Sequence, residues 1–388
     1  MNQPPIPSRT PSAPGKIALV LQGGGALGSY QGGVYAALSE AGYLPDWVAG
    51  ISIGAINAAL IAGNPPETQV AQLRAFWEQV TESALGWPAT AFGGFAAFGQ
   101  KAAAQTALLF GQPGFFAPRQ VREWIAPTGP VSYYDTSALK TTLERLVDFD
   151  RINAATEPRL SVGAVNVRTG RFAYFDSTTT TIRAEHIMAS GALPPGFAAV
   201  EIDGEQYWDG GIVSNTPLAY VLDQLPRRSR LIFQVDVFQA YGAVPTTLDA
   251  VTERAKDIQY ASRTRVNTDI FADRHEVRHA INALIDRLPP ELANTPEARR
   301  LARLGCVTQM DLAQLIYRPM TPQGSQKDYE FSRTTMVRRW DQGVRDAQQT
   351  LDAAPWRAAR SPDVGIRVFD VWHDQWQARQ RAAQTAAR

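Results

Sequence analysis

Two short apolar runs, each ending in small residues and each followed by a stretch that suits a helix, constrain this chain more than anything else in it. Lys16 to Leu21 reads as a β-strand that stops at Gly23-Gly24-Gly25, with a helix expected from about Gly28 to Glu40. Asp46 to Ala49 reads as a second strand that runs into Gly50-Ile51-Ser52-Ile53-Gly54, and another helix is expected from Ala55 until Pro65 and Pro66. The order β-α-β-α implies a mostly parallel sheet covered by helices, because parallel neighbours need a crossover. A three-layer α/β/α sandwich is the expected fold.

Further strands are expected at 160–167 and 230–238, where apolar residues are nearly continuous, as in strands buried on both faces. Between them, Val200-Glu201-Ile202 and Gln206-Tyr207-Trp208 flank Asp203-Gly204, a hairpin turn signal. Beyond Gln239 the chain turns to Arg, Gln and Ala, with helical segments expected near 247–288, 296–306 and 333–352. Asp311 to Tyr317 and Gly365 to Phe369 are candidate strands within that mainly helical C-terminal region. The expected organisation is a disordered proline-rich lead at 1–15, a catalytic unit at 16–240 and a C-terminal extension at 241–388. Residues 83–118 carry one charge, Lys101, among many Ala, Gly and Phe. Such a segment is core, the favoured reading, or an apolar lid.

The second glycine-flanked motif has the form of a nucleophile elbow. Gly50 and Gly54 let strand and helix approach closely, and the sharp turn between them exposes the Ser52 hydroxyl. A serine hydroxyl is a poor nucleophile at neutral pH, so it needs a base and a site for the developing oxyanion. Gly23, Gly24 and Gly25 offer consecutive N–H groups at the mouth of a helix, and the Ile53 N–H is a further donor. The four histidines, His186, His275, His279 and His373, sit in no telling motif. Asp209, in Trp208-Asp209-Gly210-Gly211, is the better candidate base, since the glycines permit a tight turn that aims its carboxylate. Its ordinary alternative is an Asx-turn. An unperturbed aspartate, with a pKa near ~3.9, is a weak base toward serine, so preorganised donors would have to supply most of the rate.

Gly23, Gly25 and Gly28 also satisfy G-x-G-x-x-G directly after a strand, with Asp46 placed 18 residues past Gly28 as a candidate ribose-binding acid. That reading makes the chain a non-catalytic dinucleotide-binding protein and leaves Ser52 without a task.

Taken together, Gly23-Gly24-Gly25-Ala26-Leu27-Gly28, Gly50-Ile51-Ser52-Ile53-Gly54 and Asp209-Gly210-Gly211 resemble the patatin-like phospholipases in order and spacing. The resemblance extends through Ala189-Ser190-Gly191-Ala192-Leu193-Pro194-Pro195 and Asn215-Thr216-Pro217, and covers roughly 16 to 240. Lys327 to Arg333 looks like part of the extension on some bacterial members. The resemblance implies a Ser52–Asp209 dyad, an oxyanion hole from the glycine loop, and hydrolysis of lipid carboxyl esters through an acyl-enzyme. It implies no metal and no cofactor. Leu27 stands where many members carry Arg or Lys, so short-chain or hydroxyacyl-oligomer esters, and acyl transfer by the same dyad, remain alternatives.

With 38 basic and 37 acidic residues the formal charge is +1, which gives no reason to expect a nucleic-acid partner. Cys306 is the single cysteine, so no internal disulfide is expected. No run reaches the ~18 apolar residues of a membrane span. The expected location is cytoplasmic, with peripheral contact to the inner face of the membrane as the alternative. Oligomeric state is not written in the sequence.

Overall fold

The computed structural model describes residues 15–82, 104–154, 157–319, 323–361 and 364–386. A nine-stranded sheet runs through the molecule in the order β11-β10-β9-β1-β2-β5-β8-β7, with β6 also paired to β5. Its strands are β1 (Ile17–Leu21), β2 (Trp47–Ile51), β5 (Arg159–Asn166), β6 (Phe172–Asp176), β7 (Val200–Ile202), β8 (Glu205–Asp209), β9 (Arg230–Asp236), β10 (Met310–Ile316) and β11 (Ile366–Phe369). A two-residue pair, β3 (Ala117–Pro118) and β4 (Tyr134–Asp135), stands apart from it. All pairings from β11 through β5 are parallel, and those of β6, β7 and β8 are antiparallel.

The central strands are buried on both faces, which is why they read as unbroken apolar runs. Leu19 and Leu21 point into one core with α1 (Gly28–Glu40), α2 (Ile53–Ala62) and α3 (Pro66–Val80). Ala18 and Val20 point into a second, with Trp47, Ile232 and Leu312, closed by the helix Leu218–Asp223 and by Phe271. Two cores separated by one sheet make the expected three-layer α/β/α sandwich. Asp203 and Gly204 both take positive φ, 51° and 82°, as the turn between β7 and β8 requires.

Five labelled helices beyond α2 complete the layers: α3, then α4 (Ala184–Ser190), α5 (Leu248–Ile285), α6 (Arg333–Ala353) and α7 (Val371–Ala386). The region after 240 is mainly helical, as expected, yet it is woven into the same sheet. β10 lies against β9 and β11 against β10, so the sequence boundary near 240 crosses a continuous set of backbone hydrogen bonds. Helix α6 packs on α1 so tightly that an added Cβ at Gly33 would collide with the Trp340 carbonyl, and one at Gly343 with the Tyr30 carbonyl.

Strand β6 was not foreseen; Phe172 to Tyr174 are only half-buried and carry no strong alternation. Of the apolar stretch 83–118, residues 83–103 lie outside the described residues, as does the proline-rich lead apart from Gly15. Within 104–118, Ala104, Ala107, Phe115 and Phe116 are buried in the core while Leu109 and Phe110 are exposed.

Candidate active site

The site lies at the C-terminal ends of the parallel strands, where open α/β sheets place their ligands. Strand β1 leads into the glycine loop, β2 into Ser52, and β9 into Val237 and Phe238. Register brings in the remaining partner. Ile51 pairs with Gly163 and Asp209 pairs with Ala164, while β6 occupies the other edge of β5 at both positions. Strands β2 and β8 therefore run toward each other along one edge of β5, and their ends meet. Ser52, one residue past β2, and Asp209, the last of β8, are the two residues at that junction.

Ser52 has φ 56° and ψ −124°, a conformation that L side chains rarely adopt and that costs about 1–3 kcal/mol. The surroundings enforce it. A Cβ at Gly50 would collide with the Gly54 carbonyl, and one at Gly54 with the Leu21 carbonyl, so strand and helix touch backbone to backbone. The Ser52 N–H donates to Ser190 Oγ at 3.0 Å, and that hydroxyl donates to the Gly163 carbonyl at 2.7 Å. Ser190 is a fully buried brace of the elbow. Sequence reasoning gave it no role; its position in the small-residue block 189–195 was the available signal.

Ser52 and Asp209 line the same cavity, with the Ser52 side chain near enough to act on the Asp209 carboxyl. Asp209 is 2% exposed, its Oδ1 accepts the Gly211 N–H at 2.7 Å, and its own N–H donates to the Ala192 carbonyl at 2.9 Å. Burial pushes the carboxyl up to about 7, against the opposing pull of the nearby Ser52 side chain and of the hydrogen bond from Gly211. The expectation of an ordinary, weakly basic aspartate is thereby corrected: no motif reports desolvation.

The three glycines of the loop differ in what their amides do. Gly23 N–H donates to the Asn215 carbonyl at 3.0 Å, and Asn215 Nδ2 returns a bond to the Gly23 carbonyl at 2.9 Å. Its amide is committed, and Gly23 instead clears space beside Ser52, because a Cβ there would clash with Asn215 Oδ1. Among the described residues no backbone acceptor takes the N–H of Gly24, Gly25 or Ile53. All three residues line the cavity. Gly28 and Gly210 pack closely on Ile53 and on the Gly163 carbonyl respectively. Leu27 is buried in the core. Beneath the loop lies a polar network that sequence did not single out: Gln31 Nε2 donates to the Gln22 carbonyl at 2.7 Å, Asn57 Nδ2 to Gly28 O at 3.0 Å and to Gln31 Oε1 at 2.9 Å, and Trp77 Nε1 to Asn57 Oδ1 at 3.0 Å.

Ser52 and Asp209 open into a cavity of about 280 Å³. Its walls are largely apolar, with Ile56, Leu108, Phe115, Phe116, Phe197 and Phe331 prominent. None of the four histidines lines it. His186 is buried against Phe175, its Nδ1 accepting the Arg183 N–H. His275 and His279 both contact the Thr308 carbonyl, and His373 stacks on Tyr241. Among the described residues no cluster of side chains suits a metal.

The dinucleotide reading fails on position. Asp46 precedes β2, at the opposite end of the sheet from the glycine loop, where it accepts from the Ile17 N–H at 2.5 Å and pairs with Arg230 at 2.6 Å. An acid there does not face a ribose bound at the strand C-termini.

A comparison with curated protein sequences returns no match. Among solved structures, VipD from Legionella pneumophila is 17% identical, with a TM-score of 0.39 over 88% of this chain and 67% of that one. ExoU in its complex with SpcU from Pseudomonas aeruginosa is 18% identical, with a TM-score of 0.28 over 91% and 74% of the two chains. Human GIVD cytosolic phospholipase A2 is 13% identical, with a TM-score of 0.33 over 87% and 59%. At such scores the likenesses add nothing to the topology described above. The family models are decisive: one described as patatin phospholipase matches residues 258–363, and one described as patatin-like phospholipase matches residues 19–222, more than half of the chain. The protein therefore belongs to the patatin-like phospholipase family and is a hydrolase acting on ester bonds.

Proposed function

We propose that the protein hydrolyses lipid carboxyl esters with Ser52 as nucleophile and Asp209 as its only proton acceptor. The observation that carries this reading is the meeting of a strained, cavity-lining serine and a desolvated carboxylate at the junction of β2 and β8. Ser52 Oγ attacks the ester carbonyl as its proton passes to Asp209, and the amides of Gly24, Gly25 and Ile53 receive the oxyanion. Asp209 then returns the proton to the departing alcohol, leaving an acyl-enzyme. Water, deprotonated in turn by Asp209, releases the acid and restores Ser52. A pKa raised to about 7 suits both halves of the cycle, since the same group must take and give a proton near neutrality.

The apolar lining supports an acyl chain as the cavity's occupant, and a volume of about 280 Å³ fits one chain better than two. Leu108 and Tyr133 line the cavity; exposed Leu109 and Phe110 follow Leu108 in the chain, and exposed Trp124, on a short helix with exposed Val121 and Ile125, stacks on Tyr133. Such an apolar apron favours a substrate presented by a lipid aggregate. No helix among the described residues is long and apolar enough to cross a membrane, so contact of this kind is peripheral.

The test is hydrolysis of p-nitrophenyl esters from acetyl to palmitoyl by wild type, Ser52→Ala and Asp209→Asn. Turnover lost in both variants, with fluorophosphonate labelling lost in Ser52→Ala, is the expected result. Turnover that survives in folded Ser52→Ala overturns the reading, and the chain-length optimum reports what the cavity accepts.

A further inference from the structure

The segment 323–331 lies across the glycine loop, and its contacts bear on the amides assigned to the oxyanion. Gly25 has φ 54°, and a Cβ there would collide with the Asp328 carbonyl oxygen. That oxygen accepts the Ala26 N–H at 2.8 Å. On the other side of the same residue, the Ala26 carbonyl accepts from Arg339 Nη1 at 3.1 Å. Arg339, on α6, is 1% exposed, and its guanidinium also donates to the carbonyls of Glu330 at 3.1 Å and Lys327 at 2.8 Å. One planar cation thus ties the loop to the strap above it.

The strap is itself anchored to α5. Lys327 is buried and pairs with Asp257 at 2.6 Å and Glu253 at 3.4 Å, while Lys256 pairs with Asp328 at 2.7 Å. Ser325 Oγ donates to Asp249 at 2.7 Å. A loop of consecutive glycines has no side chains with which to hold its own conformation, and donors in a hole act through being fixed before the charge develops. Both peptide groups flanking Ala26 are fixed from outside the loop, by residues more than 300 positions away in the chain.

Resting on the Ser52–Asp209 reading, we propose that Arg339 is the positioning residue of the oxyanion hole, acting with the 327–330 strap, and that the C-terminal region is a working part of the catalytic site. A guanidinium is required because its fork reaches three carbonyls in fixed directions, which a lysine ammonium does not reproduce.

The experiment uses full-length wild type, Arg339→Lys and Lys256→Met with p-nitrophenyl butyrate, active sites being counted by fluorophosphonate labelling carried to completion. A trifluoromethyl ketone, which adds Ser52 to form a tetrahedral oxyanion, reports the hole directly. For Arg339→Lys, kcat per labelled site should fall about 10- to 100-fold, below the ~10²–10³ cost of removing a donor outright. KM should stay within about twofold, and affinity for the ketone should fall in parallel with kcat. A variant damaged only in folding would lose labelled sites while the remainder kept wild-type kcat and ketone affinity; that result, or an unchanged kcat, overturns the proposal. Should Arg339→Lys not fold, Lys256→Met, which frees Asp328 at the edge of the strap, should show a smaller parallel loss of about 2- to 5-fold in both quantities, and no loss in either overturns the proposal. Turnover independent of Ser52 removes the parent reading and is read from Ser52→Ala, not from these variants.

Discussion

Asp209 is a residue whose chemistry changes sharply between chain and fold. In the unfolded chain its carboxyl titrates near 3.8, and in the native site burial moves it up to about 7. The base role proposed for it requires the ionised form, so on that proposal kcat/KM should rise with pH through about 7 and level off above it, where an ordinary aspartate would already be flat. A pH–rate profile on a soluble ester checks this. Stability runs the other way. The folded state holds the proton more tightly than the unfolded state between about 4 and 7, so stability is fullest below the unfolded pKa and declines as pH rises to the folded one. Asp236, also buried and raised to about 7, contributes in the same sense. Asp209→Asn should abolish turnover while raising the unfolding free energy at pH 8 by up to ~4 kcal/mol, with the gain vanishing near pH 4. Urea titrations at the two pH values measure the difference. The aspartate was legible in the sequence; its basicity was not, because desolvation comes from residues scattered along the whole chain.

At the scale of elements, the close passage of α1 and α6 makes a sharp demand. Gly33→Ala puts a methyl against the Trp340 backbone, which has no side chain to move aside, and should cost about 1–3 kcal/mol by chemical denaturation. Because α6 carries Arg339, the same change should lower activity more than its loss of stability accounts for. The short helix Val121–Ile125 presents Val121, Trp124 and Ile125 to solvent, and Trp124 stacks on Tyr133, which lines the cavity. Trp124→Ser with Ile125→Ser should reduce hydrolysis of micellar or vesicle-borne esters several-fold while leaving a soluble short ester unaffected. Equal loss on both substrates would assign those residues to packing instead. Strands β1, β2, β5 and β9 and helices α1, α2, α5 and α6 were legible from apolar runs and turn residues. Strand β6 was not, because half-buried Phe172 to Tyr174 owe their pairing to β5, not to a pattern of their own.

For the whole molecule, the question is whether residues 16–240 suffice. Removing residues 241–388 would expose the β9 edge that β10 covers, uncover the face of α1 that α6 packs against, and take away the strap over Gly25. The expected outcome is an insoluble or inactive fragment, checked by soluble expression and fluorophosphonate labelling; a soluble, labelled fragment would return the C-terminal region to the status of an appendage. The sequence by itself determined the local geometry: where strands stop, where glycine is required, which serine sits on the elbow, and the β-α-β-α order that makes the sheet parallel. These follow from backbone sterics and apolar periodicity, which act over a few residues. Tertiary structure alone decided the rest: the meeting of β2 and β8 on one edge of β5, the raised pKa of Asp209, the commitment of the Gly23 amide to Asn215, and the hold of Arg339 on Ala26. Each depends on registers and contacts between segments far apart in the chain, and such contacts are set by packing the whole molecule at once.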